Sequence, residues 1–181
     1  MRNFMALRLP TPVILRMLVG LAILFSTFAH AQGTSTAQVG DPDRGKVVYQ
    51  KIGYCANCHG WAGDGRAGAN PMAHGVGINL RETALDAEGL AEVIKCGRPG
   101  TQMPYHDSVA YRDDRCYGLV LADLQQGEVP VRGKTFRDKD VSHMIAYLQQ
   151  YLIGLGKPTL EECALYYGAS ADTACAYLRS E

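Results

Sequence analysis

The chain has 181 residues, 47% hydrophobic and 20% charged, with 18 bases matched by 18 acids. That composition excludes a disordered or low-complexity chain, and the even charge gives no footprint for a nucleic-acid partner. The length suits one domain better than two. In chain order, Arg2 and Arg8 precede an apolar run from Val13 to Phe28 that ends in Ala29-His30-Ala31. A basic start, an apolar middle and a small-residue exit predict a secretory signal peptide over residues 1–31. Arg16 interrupts the run, so the uncharged part falls short of the ~20 residues a spanning helix needs, and no stable membrane insertion is expected after cleavage. Removal of Arg2, Arg8 and Arg16 leaves 15 bases against 18 acids, a mildly acidic remainder. Residues 32–39, rich in Thr, Ser, Gly and Gln, read as a flexible leader. Export implies the periplasm, an oxidising space in which cysteines pair.

Asp41-Pro42 reads as an N-cap followed by proline at the first helical position, and opens a helix to about Tyr54. Next comes Cys55-Ala56-Asn57-Cys58-His59, a C-x-x-C-H pattern that is the attachment signature for c-type haem. Two thiols three positions apart on a helical turn can each add to one vinyl group of a single porphyrin. The following imidazole is then presented to the iron. A thioredoxin-like C-x-x-C would follow a strand, whereas what precedes Cys55 reads as a helix. A zinc site needs a second ligand pair at similar spacing, and Cys96 and Cys116 do not supply one. The motif occurs once, so one covalently attached haem c is expected.

Asp86 caps a second predicted helix, with Leu90, Val93 and Ile94 on one face and Gly97 as its stop. A Gly- and Pro-rich loop, Gly97 to Pro104, contains Met103, and Tyr105 to Thr135 is a long loop-like insert. A third helix is expected from Asp138 to Leu152. Its stripe of Val141, Met144, Ile145, Leu148 and Leu152 has helical spacing, and Gly154 and Gly156 end it. Thr159-Leu160-Glu161-Glu162 is a capping-box pattern for a fourth helix to Gly168, with a short helical turn after Ser170. No segment alternates with period two. The expected fold is therefore all-α, with a helical domain over 40–156 and a helical tail over 157–181.

The C-x-x-C-H motif, Gly45 and Tyr49 before it, and Met144-Ile145-Ala146-Tyr147-Leu148 after it resemble the bacterial class I cytochromes c over Gly40 to Gly154. The resemblance implies that the first and last of these helices cross at Gly45, where a larger residue would push them apart. It also implies a one-electron carrier whose haem iron is held by His59 and by Met103, in a loop where Met precedes Pro. The rivals for the sixth position are His74, His106 and an open site. Met72 lies only 13 positions after His59, and Met144 belongs to the core stripe. The resemblance further assigns the Pro71 carbonyl to the second nitrogen of His59; a simple turn proline is the plain alternative. Trp61 and Arg98 are candidates for the porphyrin edge or its propionates, against a packed Trp and a solvated Arg.

Four cysteines outside the motif allow three pairings. Cys96–Cys116, which brackets the Met103 loop, and Cys163–Cys175, which closes the tail, are the favoured ones. By loop-closure entropy each is worth about 3 kcal/mol. The tail, the run Met103 to Asp107 and the cysteine placement are also similar to cytochromes associated with periplasmic alcohol or methanol oxidation. That likeness implies a quinoprotein dehydrogenase as donor and a terminal oxidase as acceptor. The alternative is a haem enzyme such as a peroxidase, with an open sixth site and His106 and Asp107 as acid–base groups, although a solvent-facing loop position is the default for His106.

Overall fold

A computed structural model describes residues 40–66 and 77–179. The signal peptide, the leader, Pro71, Met72 and His74 lie outside the described residues.

Helix α1 spans Pro42–Val47, and the Asp41 carboxylate accepts the amides of Asp43 and Arg44 at 2.9 and 3.1 Å. The helix then widens into a π-type turn over Val48–Ile52, so that the Cys55 amide reaches back to the Tyr49 carbonyl at 2.9 Å. One turn, α2, covers Ala56–His59. Helix α3, Ala87–Cys96, begins where Asp86 accepts the Gly89 amide at 2.8 Å and stops at Gly97 with φ +65°. Helix α4 is Asp138–Tyr151, α5 is Leu160–Tyr167 and α6 is Ala171–Ala174. Thr159 and Glu162 cap α5 reciprocally, amide to side chain, at 2.7 and 3.1 Å. Short 3-10 turns occupy Leu80–Glu82, Leu121–Asp123, Gly168–Ser170 and Ala176–Arg179. Among the described residues there is no strand, only two isolated bridge pairings, and no helix is long and apolar enough to cross a membrane.

The frame is the crossing of α1 with α4. A Cβ on Gly45 would lie 2.7 Å from Tyr147 Cβ and inside the His143 carbonyl, so only glycine allows this approach. The Tyr49 and Tyr147 rings meet beside it with centroids 5.4 Å apart. Val48, Leu90, Ile94, Phe136, Val141, Met144, Leu148 and Leu152 complete the core around that crossing. Burying each such side chain is worth about 1.5–3 kcal/mol. Met144 is fully buried there, which gives it the packing role its stripe predicts.

The insert is an ordered substructure rather than a loose loop. It has a small core of Cys96, Tyr111 and Cys116, against which Tyr105, Ala110, Leu119 and Leu124 pack. Disulfides join Cys96 to Cys116 and Cys163 to Cys175.

Candidate functional site

The site is built where α1 runs out. Tyr54 takes a left-handed conformation, φ +54°, and turns the chain into α2. The Cys58 and His59 amides both return to the Cys55 carbonyl, at 3.1 and 2.9 Å. A helical turn places residues three and four apart on one face, so Cys55, Cys58 and His59 share a side. Both cysteines lie outside the two disulfides. Cys55 packs against the apolar core, and burial pushes its thiol up to about 12.

His59 is buried, and its Nδ1 lies 3.0 Å from the Ile78 carbonyl oxygen. A carbonyl can only accept, so Nδ1 carries the proton and Nε2 keeps its lone pair. Burial lowers the imidazole pKa, and the Ile78 bond offsets part of that. The Ile78 carbonyl is thus the partner of the second ring nitrogen among the described residues; Pro71, to which the resemblance gave that role, lies outside them. Segment 77–78 is seated on the motif. The Gly77 amide donates to the Cys58 carbonyl at 2.8 Å, and a Cβ on Gly77 would stand 2.6 Å from His59 Nδ1. Further bonds fix the loop after the motif: Gly65 amide to His59 carbonyl at 3.0 Å, and Tyr49 hydroxyl to Gly60 carbonyl at 2.7 Å.

Met103 is half-buried in the loop after α3. Its amide donates to Thr101 Oγ1 at 3.2 Å, and its carbonyl accepts the Arg98 amide at 3.3 Å. The insert meets that loop at its middle, where the Gly100 amide donates to the Glu128 carbonyl at 2.8 Å, and just past the loop the Tyr105 amide donates to the Val131 carbonyl at 3.0 Å. The Cys96–Cys116 disulfide spans the whole loop.

Other expectations change. His106 is not solvent-facing: it is buried, stacked parallel on Phe136 at 4.0 Å, and its Nδ1 donates to the Lys134 carbonyl at 2.7 Å. Asp107 accepts the Val109 amide at 2.9 Å and pairs with Arg115 at 3.4 Å. Trp61 turns to the tail, donating to the Tyr177 hydroxyl at 2.9 Å, with the Tyr166 and Tyr167 rings 5.4 and 6.0 Å away. Arg98 is exposed.

Sequence reasoning missed Arg81. Its side chain is 1% exposed and donates to the Ala62 carbonyl at 3.2 Å, to Glu162 at 2.9 Å and to the Gly156 carbonyl. It therefore joins the loop after the motif to the tail. Charged residues are exposed by default, and no local pattern marked this one.

The donor set fits a porphyrin stitched to the chain. Two thiols and an imidazole with a fixed tautomer lie together beside an apolar core. Among the described residues no three His, Cys, Asp or Glu side chains gather as a bare metal ion would require. Residues 40–120 match the family model for cytochrome c oxidase, cbb3-type, subunit III. No curated protein and no solved structure matches the chain. The chain carries a c-type cytochrome domain, and its cofactor is covalently bound haem c. Its fold and cofactor are those of haem-based electron transfer.

Proposed function

We propose that this domain is a periplasmic one-electron carrier in which His59 and Met103 are the two axial ligands of a single haem. The observation that carries the reading is the His59 imidazole with Nδ1 on Ile78, together with a Met103 loop bonded to the insert at Gly100. The haem supplies an Fe(III)/Fe(II) couple. The chain does the rest. Cys55 and Cys58 keep the cofactor from leaving after export, and the core around α1 and α4 excludes water from its surroundings. Holding both ligand segments rigid keeps reorganisation small when charge changes, which favours fast transfer. Partner surfaces for such carriers are small and transient.

The matched family's name places its members in a cbb3-type oxidase, which supports a terminal oxidase as the acceptor. The likeness of the tail and of the run Met103 to Asp107 to alcohol- and methanol-oxidation cytochromes supports a quinoprotein dehydrogenase as the donor. The peroxidase alternative has less behind it, because His106 and Asp107 are engaged in packing, hydrogen bonds and an ion pair. The test is the ferric spectrum of the exported protein. Wild type is expected to be low-spin with the weak red charge-transfer band of a thioether–iron bond, and Met103→Ala to lack that band. A high-spin wild type without the band would overturn the carrier reading in favour of an open site.

A further inference from the structure

Resting on the reading of Met103 as a ligand, we propose that Tyr117 and Tyr111 are positioning residues for it, clamping the loop through their hydroxyls. Both depart from ordinary backbone, with φ +58° at Tyr117 and +60° at Tyr111. An L side chain rarely holds such a conformation unless its surroundings enforce it, and enforced strain collects at functional places. Tyr117 and Gly118, φ +70°, are the two central residues of a tight turn closed by the Leu119 amide on the Cys116 carbonyl at 2.9 Å. Asn-Gly is the preferred pair for a turn with two positive φ values. A tyrosine there needs another reason, and its hydroxyl supplies one.

Tyr117 Oη donates to the Gly97 carbonyl at 2.6 Å, and Tyr111 Oη donates to the Cys96 carbonyl at 2.8 Å. These are successive carbonyls at the end of α3, where the helix leaves acceptors without an internal partner. The Gly97 carbonyl belongs to the residue on which the ligand loop rests. A Cβ on Gly97 would lie 2.6 Å from the Met103 carbonyl oxygen and 2.7 Å from the Pro104 carbonyl carbon. A hydroxyl that fixes the Gly97 peptide thus fixes the floor under Met103–Pro104. Tyr117 is itself held from the other side, its amide donating to Glu92 at 3.1 Å. Tyr111 is buried in the insert's own core. The insert therefore reaches the ligand loop by two side-chain hydroxyls as well as by the disulfide at Cys116.

The test uses the haem-loaded protein and added imidazole, which competes with Met103 for the iron. Tyr117→Phe is expected to raise imidazole affinity roughly fivefold, one hydrogen bond's worth, and to bring on alkaline loss of the red band at a lower pH. Tyr117→Asn suits the turn but cannot reach Gly97, so it should fold at least as stably yet show the same rise. Tyr111→Phe should move in the same direction. If wild type shows the red band but the Tyr117 and Tyr111 variants bind imidazole as it does, the hydroxyls only cap a helix and the proposal falls alone. If wild type itself lacks the band and matches Met103→Ala, the ligand assignment falls, and the proposal with it.

Discussion

Two segments lie beyond the crossed helices α1 and α4, and different physics holds them. The insert, residues 105–135, is fixed by main-chain bonds, the Gly100 amide donating to the Glu128 carbonyl and the His106 and Asp107 amides to the Lys95 carbonyl, and by the Cys96–Cys116 disulfide. Its side chains add a stack and two tyrosine hydroxyls. The tail from residue 157 relies on side chains, with Arg81 reaching Glu162 and the Gly156 carbonyl and Trp61 set among tyrosines. Main-chain ladders survive most single substitutions, because every residue type carries the same amide and carbonyl. A buried guanidinium with three acceptors does not. The tail should accordingly be the fragile attachment and the insert the robust one, although it is the insert that borders the Met103 loop.

The largest expected effect comes from the Arg81 anchor. Arg81→Ala leaves the Ala62 and Gly156 carbonyls and Glu162 without their donor, and should cost about 3–5 kcal/mol in denaturant unfolding of the haem-loaded protein. The pair also gives a pH signature. Burial alone would raise the Glu162 carboxyl, but the Arg81 guanidinium and the Thr159 contacts outweigh it and hold the group below the ordinary carboxylate range. A carboxyl depressed in the folded state contributes stability above its unfolded value, about 4.3, and loses it as pH falls through the lower folded value. Wild type should therefore lose thermal midpoint faster than Glu162→Gln as pH drops from about 4.3 through the lower folded value. Parallel acid profiles would show that the ion pair does not secure the tail.

A smaller effect separates the two disulfides. Replacing Cys163 and Cys175 together by Ala should cost up to about 3 kcal/mol and leave the ferric spectrum unchanged. The same change at Cys96 and Cys116 should cost a similar amount and also weaken the red band on warming, because that bridge spans the Met103 loop. Equal spectra from both double variants would erase the functional distinction between insert and tail.

What the sequence made legible was local. Asp41-Pro42, Asp86 and the Thr159–Glu162 box each mark a helix start by a contact within three residues, and all three starts are where those signals put them. Gly45 was readable through the family resemblance, and the close approach of the His143 carbonyl and Tyr147 Cβ gives the steric reason for it. The C-x-x-C-H run names its cofactor by spacing, and of the three pairings open to the other four cysteines the favoured one is present. The remainder depends on distant partners. Arg81 finds its acceptors 19, 75 and 81 positions away. Ile78 reaches His59 from 19 positions away, a partner that no local pattern marks. His106 looked like a loop histidine because its neighbours are polar, and only the return of the chain at Phe136 buries it. The positive φ of Tyr111 and Tyr117 carries no sequence signal, since glycine or asparagine is what such backbone ordinarily attracts.

The claim on which the whole account stands is covalent attachment of one haem at Cys55 and Cys58. Its most direct test is the intact mass, under denaturing conditions, of protein exported from cells able to mature c-type cytochromes. The account predicts the polypeptide plus one haem, with the added mass retained on the peptide containing residues 55–59 and absent when both cysteines are replaced by Ser. A bare polypeptide mass for the wild-type chain would contradict it.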